Sequence, residues 1–289
     1  MDVMSVDVEN WWDSNLLPSG MRGDAGDVCR ETEAVLDLLA EHGARATFFV
    51  LGAIASAHPE LVRRMAREGH EVACHGWEHT LVRDLSPARF ADSVGRARAL
   101  LEDLSGTPVT SHRAPSWSIG TDTPWAPDAL LTAGFTDDSS IFPLRSPLYG
   151  VAGAPIHPYR LVGERGELRE WPPAARDIAR LRIPAGGGIY WGLLPYAVVR
   201  WGVSARDVLH VVYIHPWSAV AGIQAGVERV PARLRWAITA GRAQNIATFR
   251  RLLRSRTFTT LSEATRSCTP VARYRLLAQG LAEVKEEEA

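Results

Sequence analysis

Ala46–Leu51 (ATFFVL), His58–Glu68 (HPELVRRMARE), Gly69 and Glu71–Cys74 (EVAC) form the stretch from which the fold is read. The first piece is a continuous apolar run, the pattern of a strand buried on both faces. The second has helical length and stops at a glycine. The third is another short strand. Strand, helix and strand in this order predict a parallel crossover unit.

The same alternation continues outward. Val3–Val8 is a β-like run, and Asp27–His42 is helical, with Val28, Val35, Leu36, Leu38 and Leu39 able to share one face and Gly43 as its stop. Ser86 and Pro87 make an N-cap and first turn for a helix reaching about Leu104. Thr110–Arg113 reads as a strand, Pro127–Ala133 as a helix closed by Gly134, and Phe135–Thr136 as a strand end. Val208–Ile214 is a buried strand, Arg242–Arg254 a helix, and Phe258–Leu261 the last strand. The expected class is α/β, a parallel sheet covered by helices. Glycine and proline concentrate between Pro143 and Gly188, so long loops are expected there, and the charged tail from Gly280 to Ala289 is expected to fray.

Composition removes several function classes. The chain has 289 residues, 32 basic against 33 acidic, and a formal net charge of −1. That balance gives no reason to expect nucleic acid or an anionic membrane surface as a partner. Lys285 is the only lysine, which disfavours Schiff-base and P-loop chemistry. Cys29, Cys74 and Cys268 are widely spaced, neither a disulfide framework nor a zinc–cysteine site, and they fit a reducing compartment. The opening Met1–Asp7 lacks the basic and apolar regions of a signal peptide, so a cytoplasmic location is expected. The longest apolar stretch, Gly186–Val203, is broken by Pro195 and Arg200 and is read as a buried turn and helix, with no transmembrane segment.

Reactive groups in parallel α/β barrels sit at the C-terminal ends of strands. After the first strand come Asp7 and Glu9, two apart and so on one face. After Glu71–Cys74 come His75 and His79, whose spacing of four puts both imidazoles on one side of a helical turn. Arg113 follows the next strand, and His215 follows Val208–Ile214. Each alone has an ordinary reading: a solvated strand end, a capping pair, a structural ion pair, a core histidine. Together, each after a separate strand, they point to metal-assisted hydrolysis. Two imidazoles and a carboxylate leave open positions on a divalent ion, and a second carboxylate can serve as general base.

At this point the chain resembles the polysaccharide deacetylase (NodB-homology) family, carbohydrate esterase family 4. The ordered motifs are SVDVE (Ser5–Glu9), ATFFVLG (Ala46–Gly52), GHEVACHGWEH (Gly69–His79), RAPSWS (Arg113–Ser118) and IHPW (Ile214–Trp217). The later half is similar to the exosortase-linked members with an extra C-terminal region, through DSSIFP (Asp138–Pro143), EWP (Glu170–Pro172), IPAGGG (Ile183–Gly188) and LPY (Leu194–Tyr196). The resemblance implies a distorted (β/α)7 barrel with a C-terminal extension packed on it. It implies a divalent ion, usually zinc and sometimes cobalt or nickel, and hydrolysis of N-acetyl groups on amino sugars. We expect one catalytic domain over residues 1–289, with a core of about 2–145 plus 205–262 and a loop-rich insertion over about 143–205. A homo-oligomer is left open.

Carried over position by position, the resemblance makes Asp7 the catalytic base, Arg113 the residue that pairs with it, and His215 the general acid. His75 and His79 become metal ligands. Pro115 and Trp117 become groove wall, and the backbone N–H of Ser116 becomes an oxyanion donor. Many relatives carry adjacent aspartates in the first motif, whereas Val8 follows Asp7 here, so the third ligand is expected to be Glu9. Asn10 stands where the exosortase-linked members often have an acid, Ser116 replaces a common tyrosine, and Asp137 replaces an aromatic. Trp77, Asp138 and Trp217 complete the expected substrate-binding set. Five of the ten tryptophans (Trp11, Trp12, Trp77, Trp117 and Trp217) border the motifs and are expected to form a sugar-stacking rim.

Overall fold

The computed structural model describes residues 2–15, 17, 27–146, 149–205, 208–221, 226–239 and 241–285. Among them the strands are β1 (Asp2–Val8), β2 (Thr47–Val50), β3 (Glu71–Cys74), β4 (Ser111–His112), β5 (Asp137–Asp138), β6 (Tyr159–Val162), β7 (Glu167–Glu170), β8 (Ala175–Ile178), β9 (Leu181–Pro184), β10 (Val211–Ile214), β11 (Phe258–Thr259), β12 (Arg273–Leu277) and β13 (Gly280–Glu283). Seven of them run side by side and parallel in the order β10-β1-β2-β3-β4-β5-β7. Past β7 the chain bridges back to β10 twice, at Pro173 with Val211 and, after β9, at Gly187 with Tyr213. The seven strands therefore close into a distorted (β/α)7 barrel.

Closure is also visible in one side chain. Arg113, just past β4, bonds Ser5 and Asp7 on β1 and Ser139 just past β5. β1 and β4 are separated by β2 and β3 in the sheet, so these contacts exist only because the sheet curls on itself. Strand alternation sorts the rest. Val3, Phe49, Ala73, Trp171 and Val211 pack together inside, with Leu261 and Ala264. Met4, Val6, Val8, Phe48, Val50, Val72, Val212 and Ile214 face outward into the helix-covered core.

The helices form where the periodicity places them. Asp27–Glu41 buries Val28, Val35, Leu36, Leu38 and Leu39, and Pro87–Ser105 is capped by Ser86 Oγ, which accepts from the Arg89 N–H at 3.3 Å. The floor of the barrel is polar and satisfied. The Glu71 carboxylate accepts from Thr47 Oγ1 (2.8 Å), Ser111 Oγ (2.7 Å) and the Ser262 N–H (2.8 Å).

Five expectations need correction. Pro143–Gly188 is not simply loop: it holds β6, β7, β8 and β9. Tyr159, Leu161, Leu168 and Glu170 alternate with less buried neighbours, and the pattern is short enough for the surrounding glycines and prolines to mask it. This segment is also more than an insertion, because β7 is a barrel strand. Phe258–Thr259 is not the last strand: β12 and β13 extend the sheet beyond β6, and Gly280–Glu283 is a strand, not a frayed tail. Residues 286–289 of that tail lie outside the described residues. The strand expected at Phe135–Thr136 lies at Asp137–Asp138, where two acids hide it. Their charge is absorbed locally, Asp137 by Arg169 and the Trp171 indole, Asp138 by His112.

Gly187 explains the AGGG stretch. A Cβ there would lie 1.8 Å from the Tyr213 carbonyl oxygen, so only glycine lets the returning chain approach β10 closely enough to close the barrel. Gly186–Val203 holds two short helices, Ile189–Leu193 and Tyr196–Gly202, on either side of Pro195. Among the described residues no helix is long and apolar enough to cross a membrane.

Candidate metal centre and active site

The strand ends converge at one mouth. β1 delivers Asp7 and, one step past its end, Glu9, and β3 delivers His75. His79 follows on a bend rather than the expected helical turn, because Gly76 adopts φ 86° and swings the chain over. The outcome is the same: the two imidazoles meet edge to face with centroids 5.4 Å apart.

Glu9, His75 and His79 can each offer a ligand atom within 4.8 Å of the others. Glu9 Oε2 lies 2.6 Å from His79 Nε2 and 3.6 Å from His75 Nε2. His75 Nδ1 is 2.7 Å from the Arg113 carbonyl, to which it donates, so Nε2 carries the lone pair. That Nε2 is buried with no hydrogen-bond partner. A buried nitrogen without a hydrogen-bond partner, beside a second imidazole and a carboxylate, suits a borderline cation such as Zn2+. Burial works to raise the Glu9 pKa, but the His79 and His215 charges and the close contact with His79 outweigh it and hold Glu9 well below the usual range. Burial likewise works to lower His79, yet Glu9, Asp13 and Asp7 prevail and raise it.

Beside this cluster, Arg113 Nη1 donates to Asp7 Oδ1 at 2.6 Å and to Ser5 Oγ at 2.9 Å. Its Nη2 donates to Ser139 Oγ (2.9 Å), and its Nε to the Ser139 carbonyl (3.2 Å). The guanidinium is sealed from solvent and lies over the Phe49 ring at 4.2 Å. His215 approaches from β10, with Nε2 3.5 Å from Glu9 Oε1 and 3.9 Å from Asp7 Oδ2, and its ring stacks on Trp217 at 5.0 Å. Pro115 packs near Gly76, while Ser116 and Trp117 take φ of 50° and 47°. Consecutive non-glycine residues in the left-handed region are strained, a feature concentrated at functional sites.

The structure thus brings together Asp7, Glu9, His75, His79, Arg113 and His215, with Ser116 at the edge. Other expected residues lie elsewhere. Asp138 points outward, fully buried, bonded to His112 Nδ1 and Ser140 Oγ, and cannot touch a ligand at the mouth. Trp77 packs on Gly52 beneath the Arg96 guanidinium, 3.5 Å from its ring, on the helix side. Trp11 is sealed and Trp12 nearly so; Trp117, also nearly buried, does stay beside the site, packed against Tyr213 at 4.5 Å and edge-on to His215 at 6.4 Å. A stacking rim of five tryptophans is therefore not formed. A residue next to an inward-facing one in sequence points away from it, so closeness to a motif does not give direction. Trp217, half-buried on His215, keeps its place.

Sequence reading missed Ser5, Ser139 and Asn15. Ser5 carried a signal, sharing the inward face of β1 with Asp7. Ser139 and Asn15 carried none, since their partners lie on distant strands.

Residues 24–130 match the family model described as Polysaccharide deacetylase, and residues 139–266 match one described as a Domain of unknown function (DUF3473). The chain is 33% identical over 118 residues to the Bacillus subtilis peptidoglycan-N-acetylmuramic acid deacetylase PdaC, covering 41% of this chain and 25% of that protein. It is 36% identical over 102 residues to a Bradyrhizobium chitooligosaccharide deacetylase, covering 35% of this chain and 44% of that one. The chain thus spans less than half the length of these curated relatives. Among solved structures, a putative polysaccharide deacetylase from Mycobacterium smegmatis superposes with a TM-score of 0.55 at 21% identity, covering 93% of both chains, a likeness of fold. The segment of unknown function is no appendage: it supplies β7 and β10 of the barrel, and His215 with them. Residues 24–130 thus carry a polysaccharide deacetylase family segment, in a barrel that residues 139–266 complete.

Proposed function

We propose that this protein hydrolyses the N-acetyl group of an N-acetylhexosamine in a glycan, using a divalent ion, zinc by preference, held by Glu9, His75 and His79. The observation that carries the reading is the meeting of that three-residue cluster with an Arg113-held Asp7 and with His215 at one barrel mouth. The glycan class is supported by the relatives, which are named as peptidoglycan and chitooligosaccharide deacetylases.

A bound divalent ion supplies Lewis acidity, polarising the amide carbonyl and making water easier to deprotonate. The chain's own residues do the rest. Asp7 takes a proton from the attacking water, and Arg113 aims it through the 2.6 Å contact. The water oxygen adds to the amide carbon, and the Ser116 N–H, on its strained turn, receives the developing negative charge. His215 gives a proton to the departing nitrogen, the C–N bond breaks, and acetate and a free amine leave. Trp217, stacked on His215, holds the imidazole plane.

Acetate release from N-acetylated chito-oligosaccharides, peptidoglycan fragments and small acetamido sugars, measured with metal-stripped and with zinc- or cobalt-loaded protein, tests this. Metal-dependent acetate release from the glycans is expected. Preferential turnover of the small sugars would move the substrate to a natural-product intermediate. Neither metal binding nor acetate release from any of the three would end the reading.

A further inference from the structure

Asn15 lies on the turn that follows β1, and its side chain touches two members of the site at once. The terminal atom placed as Nδ2 is 3.1 Å from His79 Nδ1 and 3.0 Å from Ser116 Oγ. His79 comes from the bend after β3, and Ser116 from the left-handed turn after β4. One amide thus ties together the segments after three separate strands.

Proton bookkeeping decides which amide atom belongs there. His79 Nε2 is the nitrogen turned toward Glu9, at 2.6 Å. An imidazole that gives its Nε2 lone pair to a cation carries its proton on Nδ1 and must donate that proton to something. An amide NH2 in that position sets donor against donor. An amide oxygen has two lone pairs, one for His79 Nδ1–H and one for Ser116 Oγ–H, and exchanging the two ends of an asparagine amide hardly changes its shape. His75 is already held in this way, its Nδ1 donating to the Arg113 carbonyl at 2.7 Å.

We infer that Asn15 is a positioning residue of the metal centre: its Oδ1 accepts from His79 Nδ1–H and Ser116 Oγ–H, fixing the His79 tautomer and anchoring the strained turn at Ser116. The two metal-facing imidazoles are then oriented by one backbone carbonyl and one side-chain carbonyl. This rests on the reading of Glu9, His75 and His79 as a metal site.

The test is zinc affinity, by competition with a chromophoric chelator, of the wild type, Asn15→Ala and Asn15→Asp, with thermal unfolding by circular dichroism alongside. Nitrogen-15 NMR of the histidine rings in the zinc-loaded proteins reports the tautomer. Asn15→Ala is expected to weaken zinc binding by about 10–100-fold, the usual cost of removing such an outer partner. Asn15→Asp, which only accepts, is expected to bind zinc at least as tightly as the wild type, with His79 protonated on Nδ1 and bound through Nε2. Unchanged affinity in Asn15→Ala, equal weakening in both variants, or coordination of His79 through Nδ1 would overturn the inference while leaving the metal centre standing. A wild type that binds no zinc would remove the centre itself, and Asn15's role with it.

Discussion

The Arg113 guanidinium meets the Asp7 carboxylate at 2.6 Å inside the barrel, and both groups are sealed from solvent. A buried pair of this kind is costly to break, because either partner alone is an uncompensated charge. Arg113→Ala is therefore expected to lose about 3–5 kcal/mol of stability as well as activity. Asp7→Asn keeps the shape and is expected to lower kcat by about 10²–10⁴ with zinc still bound. Denaturant midpoints, metal content and acetate release separate the two effects.

His215, whose Nε2 lies 3.5 Å from Glu9 Oε1 and 3.9 Å from Asp7 Oδ2, is the proposed proton donor. His215→Ala is expected to lower kcat by about 10²–10⁴ with metal content unchanged. Full activity in this variant would show that the leaving nitrogen takes its proton from elsewhere.

Metal affinity should depend on pH through His79. Burial works to lower its pKa, but Glu9, Asp13 and Asp7 raise it above 6.5. Below that raised pKa the imidazole holds a proton that an ion must displace. Zinc affinity is therefore expected to fall by about tenfold per pH unit on acidification and to level off above the pKa. Calorimetry in buffers of different ionisation enthalpy counts the protons released.

Trp77 was expected from its motif to bind sugar, but it packs on Gly52 under Arg96. Trp77→Ala should therefore cost about 2–4 kcal/mol of stability while KM stays near the wild-type value. A large rise in KM with unchanged stability would return Trp77 to the groove.

Glu170 is buried on the outer face of β7, and burial, together with the charge of Asp138 and a hydrogen bond to it, pushes its pKa well above 4.5. The folded state then holds this proton more tightly than the unfolded chain. The resulting stability is complete below the unfolded pKa near 4.5 and is lost as pH rises toward the folded pKa. Glu170→Gln keeps a donor toward Asp138 and carries no proton to lose. It should unfold at a higher temperature than the wild type at pH 8–9, by about 2–4 °C, and lose that advantage near pH 4.

Much of the fold was legible because it rests on local patterns. The buried runs at β2, β3 and β10 and the apolar stripe of the helix after Asp27 are set by residues a few positions apart. β6 and β7 escaped notice because their alternation is short and set among glycines and prolines, and β5 because its signal is long-range. Asp137 and Asp138 look like a loop until Arg169 is seen to pair with Asp137, and Trp171 and His112 to hydrogen-bond the two carboxylates.

For the site the division is similar. Asp7, Glu9, His75, His79, Arg113 and His215 were chosen by sequence alone, since a chemistry-bearing residue just past a parallel strand must emerge at the barrel mouth. Direction and partnership needed the tertiary structure. Asp138 turned outward, Trp77 went to the helix layer, and Ser139 and Asn15 gained roles that no neighbour in sequence announces. The chain's order determined which residues reach the mouth. Closure of the sheet decided which of them touch, because contacts across a barrel join strands that sequence keeps far apart.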